Sequence, residues 1–324
     1  MEEAHLTGEE IHNRLDEIEE IHALYSPTIL GLAAALACCA FTFLLGGGLV
    51  EMVLAFIAAG IGNLVRTKLI KHHYTLFLNI AMSISAACLA YALCLKLAEV
   101  LFHLPAFHEA GYICSILFII PGFPFITSGI DLAKLDLRSG LERLTYAIII
   151  ILVATMFAWI MALLLDLQPL TFTSMSLNPI LLLCLRIIAS FCGVFGFSIM
   201  FNSTIPMAAI AALIGAVANT FRLELIDFTG MPPAAAAFIG ALSAGLLASE
   251  IKKNNGYPRI SLTVPSIVIM VPGLYLYRAI YNFGIMSLTE AVSWFTSAIM
   301  IIIMLPLGLI FARILTDRTF RFCT

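Results

Sequence analysis

Long apolar runs separated by short polar segments make up almost the whole chain after residue 26. Each run is about 17 to 25 residues long, which suits an α-helix that crosses the hydrocarbon core of a membrane. Pro121-Gly122 and Pro272-Gly273 interrupt the fourth and ninth runs near their centres, because proline and glycine break helices. The pattern therefore predicts an all-α, polytopic membrane protein of ten transmembrane helices, with broken fourth and ninth helices. The predicted spans are residues 27–45, 49–66, 76–97, 110–129, 141–165, 179–200, 204–222, 232–250, 262–282 and 288–312.

The composition agrees with a membrane protein. Of the 324 residues, 61% are hydrophobic and 11% are charged, and the mean hydropathy is +1.04. Eight of the twenty acidic residues lie before residue 21, so the net charge of −3 reflects one local segment. The sequence has no nucleic-acid footprint and no CxxC metal motif, and no cofactor is expected.

The segment before the membrane, residues 7–25, predicts an acidic amphipathic helix. Thr7 and Glu10 have the spacing of a capping box, and apolar residues then recur at helical spacing. The helix is either a solvated element or a docking surface for a partner domain. Residues 1–26 are polar from the start, so we expect a cytoplasmic segment and no cleaved signal peptide.

The distribution of Lys and Arg predicts the orientation, since cytoplasmic loops collect these residues. With the N-terminus inside, the cytoplasmic segments hold thirteen of them and the outer segments hold three. Both termini are therefore expected in the cytoplasm, with the protein in the cell (inner or plasma) membrane. The thirteen are Arg14, Arg66, Lys68, Lys71, Lys134, Arg138, Arg143, Lys252, Lys253, Arg259, Arg313, Arg318 and Arg321, and the three are Lys96, Arg222 and Arg278.

An internal repeat relates residues 27–168 to residues 169–324. Each half has five predicted helices, an odd number, so the second copy enters the membrane from the opposite side and the repeat is inverted. A capping box at Ser139 to Glu142, and another at Ser287 to Glu290, is predicted to open the last helix of each half. Five residues recur 156 positions later, and the Pro-Gly pair recurs 151 positions later. The five are Phe41, Ala55, Asn63, Arg66 and Leu69, which match Phe197, Ala211, Asn219, Arg222 and Leu225.

The two breaks predict a binding site near the middle of the membrane. A half-helix that starts after a Pro-Gly pair presents unpaired amides and a positive dipole end, which suit a substrate carboxylate. The alternative is that the breaks only kink two helices for packing. Arg186 lies inside a span and is either a counter-ion for a carboxylate or a side chain that extends to the interface. The candidate substrate-binding residues are Pro121, Gly122, Thr127, Ser128, Arg186, Pro272, Gly273, Tyr275 and Tyr277.

Three further residues are candidates for gating or proton coupling. Asp131 and Arg143 flank the loop after the first break and form either an inner gate or an ordinary loop pair. Glu51 follows a glycine triplet at the predicted outer end of the second span. It is expected to relay a proton or, alternatively, to be solvated at the interface.

Several short motifs together resemble the threonine/serine exporter family over roughly residues 8–315. The motifs are Leu44 to Gly48, Ile120-Pro121-Gly122 with Ile130-Asp131, Ser139-Gly140 and Arg143, Phe201-Asn202 with Pro206, and Val271-Pro272-Gly273. The resemblance implies export of small hydrophilic amino acids such as threonine and serine by the fused form. Members split into two polypeptides are associated with small dicarboxylates. Members commonly carry a cytoplasmic domain before the membrane, of which we expect only the last helix, residues 7–25, in this chain.

An enzyme is not expected, because all seven histidines fall outside the predicted spans and no catalytic dyad can form at membrane depth. We predict proton-coupled, antiport-type export of threonine-like or serine-like amino acids by alternating access. An exporter of small dicarboxylates, a passive channel and a non-transporting scaffold remain alternatives. The expected partners are the small-molecule substrate and the lipid bilayer, and the sequence leaves homo-oligomer formation open.

Overall fold

The computed structural model describes residues 7–19, 24–103, 108, 110–169, 172 and 177–322. These residues form helices joined by short turns. A 3₁₀ turn at Leu117–Ile119 follows α5. The helices are α1 (Gly8–Glu19), α2 (Pro27–Leu44), α3 (Leu49–Lys71), α4 (Leu76–Phe102), α5 (Gly111–Ser115), α6 (Gly122–Ala133), α7 (Leu137–Leu165), α8 (Pro179–Met200), α9 (Ile205–Thr229), α10 (Pro233–Asn255), α11 (Arg259–Val268), α12 (Gly273–Gly284), α13 (Leu288–Thr316) and α14 (Arg318–Arg321).

The predicted membrane spans are confirmed in number and kind. Eight helices are long and apolar enough to cross a membrane, and two bent pairs bring the number to ten within the described residues. The pair that ends in α6 bends by 56° at the first Pro-Gly, and the pair of α11 and α12 bends by 49° at the second. The fourth and ninth spans are therefore broken, as predicted, and the chain is a multi-pass membrane protein.

Several helices extend further than the predicted spans, and in two of them the extension encloses an arginine. The second and seventh spans were expected to end at Arg66 and Arg222, where charge appears. Instead α3 continues to Lys71 and α9 to Thr229. Both arginines consequently lie within helices, because a charged side chain that finds polar partners need not end a membrane helix.

The N-terminal helix is shorter than predicted. The capping box at its start is confirmed, with the Thr7 amide donating to Glu10 Oε2 at 2.8 Å. The pKa of Glu10 is therefore below its usual value. The main cause is the hydrogen bond from the Thr7 backbone amide to the carboxylate, and the Thr7 hydroxyl contributes a second one. The described helix ends at Glu19, residues 20–23 lie outside the described part, and Leu24 and Tyr25 form a bend. Tyr25 is held to the bundle by its hydroxyl, which donates to the Ser203 carbonyl at 2.7 Å.

The predicted capping box at Ser139 is wrong. The N-cap of α7 is three residues earlier, at Asp136, whose side chain accepts a hydrogen bond from the Ser139 amide. Glu142 instead pairs with Arg138 at 3.1 Å. The counterpart at Ser287 does precede α13, although its side chain makes no cap bond. Asp136 and Ser287 are thus the matching caps, 151 positions apart, like the Pro-Gly pairs.

The first helix of each half meets its counterpart in the interior. Small residues allow this approach: an added Cβ on Gly196 of α8 would lie 3.0 Å from the Ala37 Cβ of α2, and Gly193 contacts Ala40 in the matching position. Phe41 and Phe197, also matching positions, pack edge to face with ring centroids 6.2 Å apart. Such small-residue interfaces are common where membrane helices pack closely.

The two ends of the bundle differ in charge. The basic end carries Lys71, Lys134 and Arg259 and is the predicted cytoplasmic side. The opposite end carries His108 and Asn178 and is the predicted outer side.

Candidate functional site

Both Pro-Gly breaks have the same backbone geometry. Pro121 has φ −79° and ψ 58°, and Pro272 has φ −83° and ψ 55°, which are close to the angles of an inverse γ-turn. In each turn the glycine amide donates to the carbonyl two residues earlier, at 2.8 Å in the first break and 2.9 Å in the second. Helices α6 and α12 begin at these glycines, so the first amides of each helix face its break.

The structure brings the two breaks into contact with each other. An added Cβ on Gly122 would lie 3.3 Å from Val271, and one on Gly273 would meet Ile120. Between the breaks is an apolar gap of about 10 Å³, which is room for about one water molecule. The gap is lined by matching pairs from the two halves: Phe41 with Phe197, Leu117 with Val268, Ile120 with Val271, and Gly122 with Gly273.

An arginine from a neighbouring helix reaches each break. Arg66 Nη1 on α3 donates to the Phe118 carbonyl at 3.4 Å, and Arg222 Nη1 on α9 donates to the Met270 carbonyl at 3.2 Å. A helix break frees carbonyls that need donors inside a membrane, and the guanidinium groups supply them. Neither arginine has a carboxylate within ion-pair distance among the described residues. Arg222 Nε is buried without a hydrogen-bond partner in the same part of the chain. Each break is therefore electropositive.

The hydroxyls predicted after the first break are directed at their own helix. Thr127 donates to the Phe123 carbonyl at 3.0 Å, and Ser128 donates to the Phe125 carbonyl at 2.9 Å. Both side chains are buried. In this conformation α6 itself satisfies both groups.

The two predicted tyrosines after the second break have different surroundings. Tyr277 is buried, and its hydroxyl lies 2.6 Å from the hydroxyl of Tyr112 on α5. This contact joins the two broken spans, and it lies between the breaks and the opposite end of the bundle. Tyr275 packs edge to face on Trp294, over which the Arg278 guanidinium also lies at 4.8 Å.

The structure does not bring Arg186 to the breaks. Its guanidinium forms ion pairs with Glu224 at 2.8 Å and Asp227 at 2.6 Å, both on α9. Two protein carboxylates thus neutralise the one cation that the sequence placed well inside a span.

The three gating candidates lie in two separate places. Arg143 pairs with Asp131 at 2.7 Å beside the turn between α6 and α7, at the basic end. Glu51 is 1% exposed, and its Oε1 lies 2.8 Å from His108 Nδ1. Burial of Glu51 rules out the interfacial solvation that the sequence offered as the alternative to proton relay.

Polar cavities open beside the broken spans at both ends. At the basic end, a cavity of about 580 Å³ reaches α6 through Ile130 and Lys134 and α11 through Arg259 and Thr263. At the opposite end, a cavity of about 340 Å³ is lined by residues that include Arg278, Asn282 and Glu290. Tyr277 lies between this cavity and the second break along α12, and its ring packs on Tyr281 of the cavity wall with ring centroids 6.3 Å apart.

Four residues of this region are absent from the sequence-based site. Arg66 and Arg222 occupy matching positions of the two halves, and this match was the sequence signal that could have identified them. The sequence analysis assigned both to loops. Tyr112 and His108 gave no signal, because each acts through a partner that is distant in the chain, Tyr277 and Glu51 respectively.

Comparison with known proteins gives family matches in both halves. The family model described as "Putative threonine/serine exporter" matches residues 1–165, and the model "Threonine/Serine exporter, ThrE" matches residues 186–315. No solved structure matches the chain.

Two curated relatives are similar to part of the chain. The "Probable succinate transporter subunit YjjP" of Escherichia coli (strain K12) is 28% identical over 156 residues, which cover 47% of this chain and 57% of the relative. The protein of that name in Klebsiella aerogenes is 27% identical over 160 residues, which cover 48% of this chain and 58% of the relative. The chain thus spans less than two thirds of either relative. The family models nevertheless cover both halves, and the chain belongs to the threonine/serine exporter family.

Proposed function

We propose that this protein is a secondary exporter of small hydrophilic amino acids of the threonine and serine type. The observation that carries the proposal is the contact between two matching Pro-Gly breaks, each held by an arginine that has no carboxylate partner among the described residues. An enzyme or a passive scaffold needs no such arrangement, and the family match favours transport.

The breaks offer the groups that an amino acid needs. A carboxylate is attracted by the amides and positive dipole ends at the starts of α6 and α12. Arg66 and Arg222 supply additional donors, because a guanidinium has five N–H groups and only one contact is made to each break carbonyl. The substrate ammonium would bond to carbonyls that the breaks release from helical pairing.

Alternating access follows from the proposed inverted repeat of residues 27–168 and 169–324. The matching contacts around the gap support a pseudo-twofold relation between the halves. In this conformation the Tyr112–Tyr277 contact closes the opposite end, and the cavity of about 580 Å³ admits solvent from the basic end. Breaking the Asp131–Arg143 pair and reforming it would alter the route at the basic end. A substrate-sized space arises when the packed breaks separate.

A dicarboxylate is the second candidate substrate. Arg66 and Arg222 occupy matching positions, so the inverted repeat would place one cation on each side of the gap. That arrangement suits a molecule with a carboxylate at each end. The printed name of the two bacterial relatives refers to succinate.

A transport assay with the purified protein in liposomes tests both candidates. We expect uphill movement of labelled threonine or serine, and competition by the unlabelled amino acid. Movement of succinate without either amino acid would select the second candidate. A folded protein that moves none of the three would contradict both.

Proton coupling is part of the proposal. With both termini on the cytoplasmic side of the cell membrane, inward proton flow would drive outward substrate flow. An uncoupler is then expected to abolish accumulation, whereas uphill transport that persists after all ion gradients have collapsed would contradict secondary transport.

A further inference from the structure

We propose that Glu51 and His108 form the proton-binding pair of the transporter, with His108 as the group that takes the proton from solvent. The inference rests on the proposed exporter function and assigns its coupling site. Glu51 Oε1 lies 2.8 Å from His108 Nδ1. The side chain of Glu51 is 2% exposed and that of His108 is 17% exposed, so solvent reaches the pair from the histidine side.

The surroundings of Glu51 form a shaped site. Two glycines lie close to Glu51: an added Cβ on Gly48 would lie 2.9 Å from Glu51 Oε2, and one on Gly111 would lie 3.0 Å from Glu51 Cβ and overlap the Tyr91 hydroxyl. That hydroxyl donates to the His108 carbonyl at 2.6 Å and so fixes the histidine against α4. Glu51 Oε2 is buried and has no hydrogen-bond partner among the described residues.

An incompletely satisfied buried carboxylate is a natural proton acceptor. A buried carboxyl group is more stable when neutral or when paired with a cation. With neutral His108 donating from Nδ1, the pair carries one negative charge. A proton added at Nε2 gives an imidazolium beside the carboxylate, and the pair becomes neutral. Proton binding therefore changes the charge buried at this point of the bundle by one unit.

No Lys or Arg touches the pair among the described residues. The titratable groups near it are the Tyr91 hydroxyl from α4 and the Cys114 thiol from α5, and Cys114 is also within electrostatic range of Arg278 on α12. Within the described residues, His108 is the ion-pair partner of Glu51.

The pair is connected mechanically to the closed side of the transport route. Gly111 packs on Glu51, and the next residue, Tyr112, forms the hydroxyl contact with Tyr277. A change in the charge of the Glu51–His108 pair acts on the start of α5, which carries half of that contact. Opening of the opposite end is thereby linked to occupancy of the pair.

Only the first half of the chain carries this site. The position 156 residues after Glu51 is Met207, so the repeat does not supply a second carboxylate at the basic end. The pair lies at the opposite end, which is the predicted outer side. An exporter driven by inward proton flow needs a proton acceptor on that side, and this one-sided placement agrees with that need.

The test compares Glu51→Gln and His108→Asn with wild type in proteoliposomes that contain the full chain. We expect an imposed pH gradient to drive uptake of the transported substrate in wild type. In both variants the stimulation and the accompanying proton flux should fall by about tenfold or more. Substrate exchange at equal pH on both sides should depend on pH in wild type and lose that dependence in Glu51→Gln. A purely structural role would lower exchange at every pH without flattening the profile.

Asp166→Asn is the matched control, because Asp166 is an exposed acid at the same end of the bundle. It is expected to behave as wild type. The proposal would be overturned if both variants kept the proton flux and the pH dependence of wild type. If Glu51→Gln does not fold, the result for His108→Asn decides between the two outcomes.

A second readout separates this inference from the exporter function. Absence of wild-type transport would contradict the exporter proposal. The infrared carboxylate stretch tests the pair independently: we expect a carboxylate band that shifts with pH as His108 takes up its proton and that is lost in Glu51→Gln, and a spectrum identical in wild type and variant would overturn the pair.

Discussion

At the scale of single residues, two arginines distinguish the site from an ordinary helix kink. A cation at membrane depth is unfavourable by about 2.5 to 3.5 kcal/mol on insertion scales unless it is paired or faces water. Arg186 is paired with two carboxylates. Arg66 and Arg222 instead donate hydrogen bonds to backbone carbonyls at the two breaks. A negatively charged substrate would complete their coordination.

Replacement of Arg66 or Arg222 by Gln is expected to raise the KM for the transported carboxylate. A hydrogen bond to a charged group contributes about 1.5 to 3 kcal/mol, which corresponds to an increase of about tenfold or more. Succinate, if it is the substrate, should be affected by both substitutions to a similar extent. Initial transport rates over a range of substrate concentrations measure the effect.

Arg138→Gln serves as the control for both substitutions. Its side chain is 91% exposed at the basic end and pairs only with Glu142 on the surface. We expect an unchanged KM. If the Arg66 and Arg222 variants insert normally and also keep the wild-type KM, the arginines hold the breaks without binding substrate.

At the scale of elements, the broken spans are positioned by contacts between the breaks themselves. Gly122 packs closely against Val271 of the second break, and Gly273 packs closely against Ile120 of the first break. The positive ends of α6 and α12 consequently face a common gap instead of lipid. Helix dipole effects are strongest within the first turn, so this placement concentrates them at the gap.

The double substitution Gly122→Leu and Gly273→Leu is expected to abolish transport while the protein still inserts. Leucine side chains cannot fit a gap of about 10 Å³, so the breaks must separate or distort. Gly60→Ala is the control for loss of a glycine within a span, because an added Cβ there lies 3.4 Å from Ala35, an ordinary contact distance. Full activity of the double variant would refute a site at the breaks.

The Tyr112–Tyr277 contact makes a second prediction at this scale. Tyr277→Phe removes one hydroxyl and keeps the ring packing, so the closed form should lose about 1 kcal/mol. Opening toward the opposite end should increase about fivefold. The rate at which an impermeant thiol reagent modifies Cys114, as the sole cysteine retained, measures this opening.

Tyr74→Phe is the control for that measurement, since Tyr74 is exposed in the turn between α3 and α4. It should leave the labelling rate unchanged. Equal rates in wild type and Tyr277→Phe would show that the hydroxyl contact does not limit opening.

At the scale of the whole molecule, orientation decides the direction of transport. The predicted cytoplasmic side is the basic end, where the cavity of about 580 Å³ reaches both broken spans. The Glu51–His108 pair, proposed to bind the proton, lies at the other end. Export requires these two features to face opposite aqueous phases.

Two single cysteines test the orientation in a cysteine-free background. Leu135 is 81% exposed in the turn after α6, and Phe228 is 78% exposed near the end of α9. An impermeant thiol reagent applied to intact cells should modify Phe228→Cys and leave Leu135→Cys unmodified. The reverse result would invert the molecule and contradict export driven by the inward proton gradient.

Much of this architecture follows from the sequence alone. The apolar runs determined the ten spans, because lipid selects long apolar helices whatever their neighbours are. Pro121-Gly122 and Pro272-Gly273 determined the breaks, because the loss of an amide and the freedom of glycine are properties of the local backbone. The matching positions in the two halves also indicated where equivalent residues lie.

Tertiary structure decided which side chains meet. Sequence position made Arg186 a site candidate and assigned Arg66 and Arg222 to loops. In the structure Arg186 forms ion pairs with α9, and the other two arginines reach the break carbonyls. The Glu51–His108 pair joins residues 57 positions apart, one on α3 and the other in the connection between α4 and α5. Hydropathy indicates which segments are stable in lipid. The partners of a side chain depend on how helices that are distant in the chain pack together, and a single sequence carries no direct record of that packing.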